Sequence, residues 1–457
     1  MCDVFSLTEC DVIGFDLDHT LCRYHLQETC RLLFESLAKY LVEHKGYDKD
    51  LLNITTEGWD FCFKGLVLDF EEGNLIKLAE DGTILRATHG TKNLSTNEIV
   101  QHYGKERKWK HFNNLNGTFT RSAKYYFYDN YFDLPGALLF ARVVDLLQKN
   151  GNQTLADFSK DLISAIDHNY NISAFKENSG TFFPSVKQDP GKYLQRCPDS
   201  VKAWLQNLKN SGKVLLLITS SHSDYCRLVC EHILGHNFED FFDIIITNAL
   251  KPGFFSQIPN QRPFRNLVND IEDCNGLASL DKPGWYSQGN WTHLNDLLKK
   301  MTRKSTPKVV YFGDSMRSDV FPASHYGNWD VVLILEELES EVIEENEVNS
   351  KDISAEPLEK KGKYEEQSIR IPSATSHQWG SYFLDDYKGI NELEETQKYT
   401  WCCSCITTYS TIAIPSIEAI AELPLDFKFQ RFSSHKPRTV GYYPKAPISL
   451  MKSRQKE

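Results

Sequence analysis

Short apolar runs alternate along the second half of the chain with segments whose apolar residues recur at helical spacing. The runs rich in Val, Leu and Ile predict strands at residues 213–218, 244–247, 309–312 and 331–335. The segments between and before them predict helices at residues 199–211, 224–234 and 293–301. Continuous apolar strands are typical of sheets covered on both faces. Repeated helix–strand units therefore predict a parallel sheet with helices on both sides.

The first half contains one comparable run, Val12–Phe15, which must join the same sheet across a long insertion. Residues 24–195 are too many for a loop and are predicted to form a cap domain of their own. Turn signals at Gly73-Asn74 and Asp81-Gly82 predict a β-hairpin or meander inside it, and residues 138–147 form an amphipathic run. The predicted fold is α/β, with a Rossmann-like parallel-sheet core from residues 1–23 and 196–335 and a large inserted α+β cap.

The remainder of the chain divides into two predicted parts. Residues 336–370 are strongly acidic and are predicted to be a solvated, flexible linker. Residues 371–457 are predicted to pack on the core, with a helical segment at Thr407–Leu423 that is broken by Pro415.

Composition and charge narrow the class of protein. The chain is 41% hydrophobic with a net charge of −11, and residues 336–366 alone hold twelve acidic and four basic side chains. This distribution argues against a broad electrostatic nucleic-acid binder. The early acids Asp3, Glu9 and Asp11 do not fit a signal peptide, and no apolar run approaches the ~20 residues of a membrane span. Twelve scattered cysteines fit reduced structural thiols, and we expect a soluble cytoplasmic protein.

Carboxylates, hydroxyls and one lysine stand directly after the predicted strands, at the sheet edge where open α/β sheets bind ligands. In chain order they are Asp16, Asp18 and Thr20, then Thr219, Ser220 and Ser221, then Lys251, then Asp314 and Asp319. Carboxylates hold a hard cation such as Mg²⁺, and hydroxyls and backbone N–H groups hold an oxyanion. Of two acids two residues apart, one can attack phosphorus while the other manages the leaving-group proton. The pattern predicts phosphoryl transfer through a carboxylate nucleophile with Mg²⁺.

Four of these segments, in this order, resemble the motifs of the haloacid dehalogenase superfamily. They are FDLDHTL at residues 15–21, LLLITSS around Thr219, NALKPGFF around Lys251 and YFGDSMRSDV around Asp314 and Asp319. Residues 65–90, 131–135 and 379–383 are also similar to segments of the cytosolic purine 5'-nucleotidase family. A lone DxDxT is a weak signal, whereas four ordered motifs are specific. The resemblance implies a core of the haloacid dehalogenase type and a capped active site.

The resemblance assigns the catalytic and metal-binding roles. Asp16 would be the nucleophile that forms an aspartyl-phosphate, and Asp18 the general acid and base. Asp16, Asp18 through its backbone carbonyl, and Asp314 would bind Mg²⁺. Asp319 would support the metal site or Lys251.

The resemblance also assigns phosphate and substrate contacts. Thr219, Ser220 and Lys251 would hold the phosphate, although Ser220 stands where the family often has Asn. Apart from the resemblance, the aromatic run Tyr125–Phe132 is expected in the first place to be packing, and the functional alternative is that Phe132 stacks on a base, as aromatic rings do with nucleobases. Asp167 would contact the substrate, in a region that matches the family loosely and lacks the expected arginine.

The predicted function is Mg²⁺-dependent hydrolysis of a phosphomonoester, in the first place a nucleoside 5'-monophosphate. Two alternatives stay open: a phosphatase of a non-nucleotide phosphomonoester, or a weakly active regulatory or binding protein that keeps the fold. His19 and His222 are expected to be solvated or structural. The expected partner is a small phosphomonoester, without membrane or nucleic-acid polymer, and the family resemblance suggests a homo-oligomer.

Overall fold

The computed structural model describes residues 3–53, 56–119, 122–150, 155–171, 173–256, 261–340, 371–388 and 395–453. A nine-stranded sheet forms its centre. From edge to edge its strands are Ile271–Leu277, Phe264–Val268, Gly284–Gln288, Ile244–Thr247, Val214–Ile218, Val12–Phe15, Val309–Gly313, Asp330–Ile334 and Ile412–Ile414. The seven strands from Gly284–Gln288 to Ile412–Ile414 are parallel, and the other two form an antiparallel hairpin at one edge.

The parallel sheet confirms the predicted α/β fold. The strand at Val12–Phe15 has the predicted bounds, those at Val214–Ile218 and Val309–Gly313 differ from prediction by one residue at one end, and Asp330–Ile334 is shifted by one residue at both ends. All four residues of Val12–Phe15 are buried, as their apolar character requires. The strands Phe264–Val268, Ile271–Leu277 and Gly284–Gln288 carry many polar residues, and the apolar pattern did not predict them.

A five-stranded antiparallel sheet, called here the small sheet, lies between residues 67 and 127. Its strands run in the order Lys92–Asn93, Ile84–His89, Asn74–Leu78, Val67–Asp69 and Tyr125–Phe127. The predicted meander is therefore confirmed. Three further two-stranded pairs join Val4–Phe5 with Phe429–Gln430, Thr375–Ser376 with Gly380–Ser381, and Leu384–Lys388 with Glu395–Tyr399.

Helices flank the sheets. They are Leu26–Lys45, Thr96–Tyr103, Phe112–Thr118, Pro135–Asn150, Leu155–Tyr170, Ala174–Glu177, Phe182–Gln188, Pro190–Tyr193, Asp199–Asn210, Ser223–Leu234, Gly253–Ser256, Trp291–Thr302, Phe321–His325, Trp401–Tyr409, Glu418–Ala421 and Ile448–Ser453. Helix Asp199–Asn210 buries an apolar stripe of Val201, Trp204, Leu205 and Leu208, and its N-cap is Pro198. Within the described residues, every helix is too short or too polar to pass through a lipid bilayer.

Two predictions for the C-terminal third are wrong. The segment 407–423 is not one helix, because Ile412–Ile414 is a buried strand that extends the parallel sheet beside Asp330–Ile334. The predicted solvated linker does not begin at residue 336. Glu336 and Glu337 are each only 2% exposed and open a helical turn, since Arg23 and Lys64 lie beside them. Residues 341–370 of that prediction lie outside the described residues.

Candidate active site

The predicted site residues meet at one edge of the central sheet. Val12–Phe15 lies in the middle of the sheet, and its parallel neighbours on both sides end at the same edge. These strands are followed directly by Asp16, Thr219 and Asp314, and Lys251 lies four residues after the next strand, Ile244–Thr247. Topology therefore brings together residues that are up to 298 positions apart, from Asp16 to Asp314, as the motif order predicts.

Lys251 is the buried cation of the site. Its Nζ donates to Asp16 Oδ1 and to Asp319 Oδ1, each at 2.6 Å, and lies 3.1 Å from the Tyr311 hydroxyl. Burial opposes the charged ammonium, but the carboxylates of Asp16 and Asp319 outweigh it and raise the pKa of Lys251. Lys251 is thus held charged and aimed at the predicted nucleophile.

Three carboxylates form a group that can hold a cation. One ligand atom each from Asp16, Asp314 and Asp319 lies within 4.8 Å of the other two, and all three residues are buried. Burial, the neighbouring Asp319 and, more weakly, Asp18 raise the pKa of Asp16, against the pull of Lys251. Burial raises the pKa of Asp314 in the same way. With all three carboxylates ionised and Lys251 charged, the group is two positive charges short of balance.

A hard cation fits this group. Asp314 Oδ2 is buried without a hydrogen-bond partner among the described residues, which is costly for a carboxylate unless something else binds it. Mg²⁺ takes oxygen ligands and uses one or two carboxylates together with water and substrate phosphate. The donor set of Asp16, Asp314 and Asp319 therefore suits Mg²⁺, and Asp319 also supports Lys251 directly.

Asp18 is held apart from this group by hydroxyls. Its Oδ1 accepts from the Tyr24 hydroxyl and its Oδ2 from Ser221 Oγ, each at 2.6 Å. Burial raises the pKa of Asp18, and the hydrogen bonds from Ser221 and Tyr24 partly offset that rise. A carboxyl group with a raised pKa holds its proton more readily than an ordinary one, which suits a general acid.

The predicted phosphate-binding hydroxyls connect two loops. Thr219 Oγ1 accepts from the Ser221 backbone N–H at 3.0 Å. Ser220 Oγ accepts from the Lys251 backbone N–H, also at 3.0 Å, so this serine fixes the position of the lysine loop. A hydroxyl that accepts in this way keeps its own proton for a second partner. Both residues lie in the loop before helix Ser223–Leu234, whose N-cap is His222 and whose N-terminus favours an anion.

A cavity of about 880 Å³ opens above the strand ends, between them and the small-sheet side of the molecule. All the predicted site residues line it: Asp16, Asp18, Phe132, Asp167, Thr219, Ser220, Lys251, Asp314 and Asp319. Its far wall is apolar and aromatic, with Phe70, Tyr170, Phe175 and Phe182 among the lining residues. A volume of this size accommodates a drug-sized or nucleotide-sized ligand.

Phe132 combines packing with exposure to the cavity. Its ring lies 4.6 Å from the His19 ring, 5.4 Å from the Tyr24 ring and 6.0 Å from the Phe182 ring, and it remains half-buried. Asp167 is exposed on helix Leu155–Tyr170. Phe132 therefore packs against other rings. It also lines the cavity, where its ring could stack on a base.

His19 is not a solvated histidine. It is 1% exposed, has a left-handed backbone (φ 58°), and packs between the rings of Tyr24 and Tyr131. Burial, together with the charge of Lys64, holds the pKa of His19 well below its usual range, so the ring is neutral. Neither ring nitrogen has a hydrogen-bond partner among the described residues.

The sequence patterns did not predict the roles of several residues that contact the site. Tyr24 and Ser221 hold Asp18, and Tyr311 bonds to Asp319 at 3.1 Å and to the Ile218 carbonyl at 3.2 Å. Asp129 reaches the loop after Asp314 from the small sheet. Ser221 and Tyr311 both lie inside motifs of the sequence, and Ser221 was named there without a contact to Asp18, whereas Tyr24 and Asp129 carry no pattern of their own.

Comparison with known sequences gives a consistent result. A sequence model described as the 5' nucleotidase family matches residues 1–400. The chain is 62% identical to "5'-nucleotidase domain-containing protein 1" of Homo sapiens over 98% of both chains, and 61% identical to the Bos taurus protein of that name with the same coverage. It is 28% identical to "5'-nucleotidase domain-containing protein 2" of Rattus norvegicus over 74% of this chain and 59% of that one.

Similar solved structures are distant. An archaeal beta-phosphoglucomutase from Pyrococcus sp. strain ST 04 has a TM-score of 0.28 at 9% identity and covers 71% of this chain and 86% of its own. CbbY from Rhodobacter sphaeroides in complex with phosphate has a TM-score of 0.25 at 12% identity, with the same coverage of each chain. Such low scores carry no functional argument.

Proposed function

The chain belongs to the 5' nucleotidase family, and from that premise we propose that it is a Mg²⁺-dependent phosphomonoester hydrolase acting on nucleoside 5'-monophosphates through a phosphoryl group carried on Asp16. One observation carries the proposal. The Asp16 carboxylate lies at the floor of a nucleotide-sized cavity, 2.6 Å from a buried ammonium and grouped with two further carboxylates. This arrangement binds phosphate and presents an oxygen nucleophile to it.

In the first step an Asp16 oxygen forms a bond to phosphorus while the bond from phosphorus to the ester oxygen breaks. Lys251, Thr219 and Ser220 hold the phosphoryl oxygens, and Asp18 gives its proton to the departing alkoxide. When bound, Mg²⁺ neutralises the carboxylate group and the phosphoryl oxygens. In the second step water attacks phosphorus, Asp18 takes its proton, and Asp16 is released.

The surroundings of Asp18 suit this change of protonation. Tyr24 donates to Asp18 and also lies 2.9 Å from the Tyr225 hydroxyl, with either oxygen able to be the donor. When Asp18 carries a proton, Tyr24 can turn its own proton to Tyr225. Ser221 keeps the other oxygen in place. The carboxyl group can therefore gain and lose a proton without leaving a buried hydroxyl unpaired.

The aromatic wall favours a substrate with a flat base over a small sugar phosphate, because stacking on a ring contributes ~1–3 kcal/mol per base. Phe132, at the boundary between this wall and the catalytic floor, is the stacking candidate, and Asp167 is the candidate for polar contact with the substrate. The retained Asp16, Lys251 and Asp314 speak against an inactive binding protein.

Phosphate release from a panel of nucleoside monophosphates and simpler phosphomonoesters tests the proposal. We expect release by the wild type with Mg²⁺, none with EDTA, and none by Asp16→Asn; acid-quenched wild type should carry phosphate and the variant should not. Asp11→Asn, at the far end of the same strand, is the matched control and should retain activity. Equal release by wild type and Asp16→Asn would exclude Asp16 as the nucleophile, and preference for non-nucleotide esters would exclude nucleotides as the substrate.

A further inference from the structure

Asp129 is a buried carboxylate that reaches from the small sheet into the catalytic edge of the central sheet. It follows the strand Tyr125–Phe127 and is only 5% exposed. Its carboxylate accepts from the Ser315 hydroxyl, from the Met316 backbone N–H at 3.1 Å and from the Arg317 backbone N–H at 2.9 Å. All three donors come directly after Asp314, one of the three grouped carboxylates.

These donors open the helical turn Met316–Val320, which carries Asp319. Ser315 is the N-cap of the turn, and its Oγ accepts from the Ser318 backbone N–H at 2.9 Å. The Asp129 carboxylate accepts hydrogen bonds from two further backbone N–H groups at the N-terminal end of the turn. At a helix N-terminus such groups have no carbonyl partner within the turn itself. The position of the turn is therefore fixed by the side chain of Asp129, which lies 186 to 188 residues earlier in the sequence than its three donors.

The orientation of this turn decides where two grouped carboxylates lie. Asp314 precedes it, and Asp319 within it bonds Lys251, which in turn bonds Asp16. A second contact from the same side of the molecule steadies the turn, since Arg317 Nε donates to the Phe119 carbonyl at 3.0 Å. A shift of the turn would move Asp314 and Asp319 together relative to Asp16.

We propose that Asp129 is a positioning residue for the cation site: by capping the turn 315–317 it fixes the spacing of Asp314 and Asp319 and so sets the affinity for Mg²⁺. The inference deepens the proposed function and rests on it for the identity of the metal. The catalytic edge is then completed by the element that also walls the substrate cavity, because residues 122–133 serve both.

Mg²⁺ binding to the full chain, measured by isothermal titration calorimetry, tests this role without depending on turnover. In Asp129→Asn the new amide N–H₂ faces a donor, so one of the three hydrogen bonds is lost while size is kept. Partners that orient metal ligands typically contribute about 10–100-fold in affinity, and we expect at least a 10-fold weaker Mg²⁺ affinity. In activity assays the Mg²⁺ concentration for half-maximal rate should rise equally, with substrate KM unchanged at saturating Mg²⁺.

Asp145→Asn is the matched control, because Asp145 also accepts from a backbone N–H and a hydroxyl, those of Thr91, but on the outer surface. It should bind Mg²⁺ like the wild type.

If near-ultraviolet circular dichroism shows Asp129→Asn to be unfolded, Ser315→Ala replaces it, since that variant removes a donor to Asp129 and should also weaken Mg²⁺ binding. A folded Asp129→Asn, or in its place Ser315→Ala, with wild-type Mg²⁺ affinity overturns the inference. A wild type that binds Mg²⁺ but hydrolyses no ester overturns the proposed function alone.

Discussion

At the scale of single residues, the site is dominated by one buried cation among acids. Lys251 compensates Asp16 and Asp319 at hydrogen-bond distance, and Asp314 has no such partner among the described residues. Removing one member of a buried ion pair leaves an uncompensated charge, which costs far more than losing a surface pair. Lys251 should therefore contribute to stability as well as to phosphate binding.

Lys251→Met is expected to lower the free energy of unfolding by about 3–5 kcal/mol at pH 8 without Mg²⁺. The loss should shrink at pH 5, because burial raises the pKa of Asp16, and a protonated Asp16 no longer needs the ammonium. Urea unfolding at the two pH values measures it. Lys304→Met, which removes an exposed pair with Asp11, should cost less than about 1 kcal/mol. Equal losses in both variants would contradict the assigned role of Lys251.

The sequence predicted the acids and the lysine of the site because each follows an apolar strand within a recognisable motif. It could not predict Asp129, since a contact across 187 residues leaves no local periodicity. It also could not show that His19 is buried, because its surroundings come from Tyr131 and Phe132 of a distant segment. Side chains in the motifs were predictable, and their supporting partners were not.

At the scale of helices and strands, the shortness of some apolar runs limited what the sequence could predict about secondary structure. The segment TIAIPS contains three apolar residues, too few to distinguish a strand from a helix, and neighbouring apolar residues favoured the helix. Ile412–Ile414 is a strand because the edge of Asp330–Ile334 is available to it. The polar strands Phe264–Val268 and Ile271–Leu277 were missed because they form a half-exposed hairpin rather than a covered core.

The turn after the strand Val309–Gly313 requires glycine at position 313, because there is no room there for a side chain. A Cβ added to Gly313 would lie 2.4 Å from Asp319 Cβ and 2.7 Å from its Cγ, so Gly313→Ala must displace the turn. We expect a loss of about 1–3 kcal/mol in unfolding free energy, as for other overpacked sites. Phosphate release should fall further than the folded fraction, because Asp319 and Lys251 move with the turn.

Urea unfolding and phosphate release at 25 °C, compared in one preparation, check this expectation. Gly117→Ala is the matched control, since a Cβ there meets nothing within 4 Å and alanine is favourable in its helix. A Gly313→Ala protein with wild-type activity would show that the turn tolerates the displacement.

At the scale of the whole molecule, one arginine joins three distant parts of the chain. Arg23 donates to Glu336 at 3.3 Å, to Glu339 at 2.7 Å and to Glu418 at 3.0 Å. Composition alone assigned Glu336 to a solvated segment, but it is buried. Burial raises the pKa of Glu336 to about 7, although Arg23 pulls it down.

This pKa makes stability depend on pH. The folded value of about 7 lies above the usual 4.5, so the folded state binds more protons between these values and stability falls as pH rises through them. Glu336→Gln should lack this fall and exceed the wild type by roughly 2–3 kcal/mol at pH 8, with little difference at pH 4.5. Urea unfolding across this range measures it. Glu339→Gln, which alters an exposed partner of the same arginine, should show no comparable trend.

The strand Val12–Phe15 leaves the ribosome early, yet both of its sheet neighbours are translated much later. Val214–Ile218 begins roughly 200 residues further on, which at about 5–20 residues per second leaves the strand about 10–40 s without a pairing partner. During that interval an apolar strand with two open edges is accessible to aggregation. Nascent chains should therefore be retained by chaperones that bind extended apolar segments until residue 313 has been made, and Asp16 can meet Asp314 and Asp319 only after that.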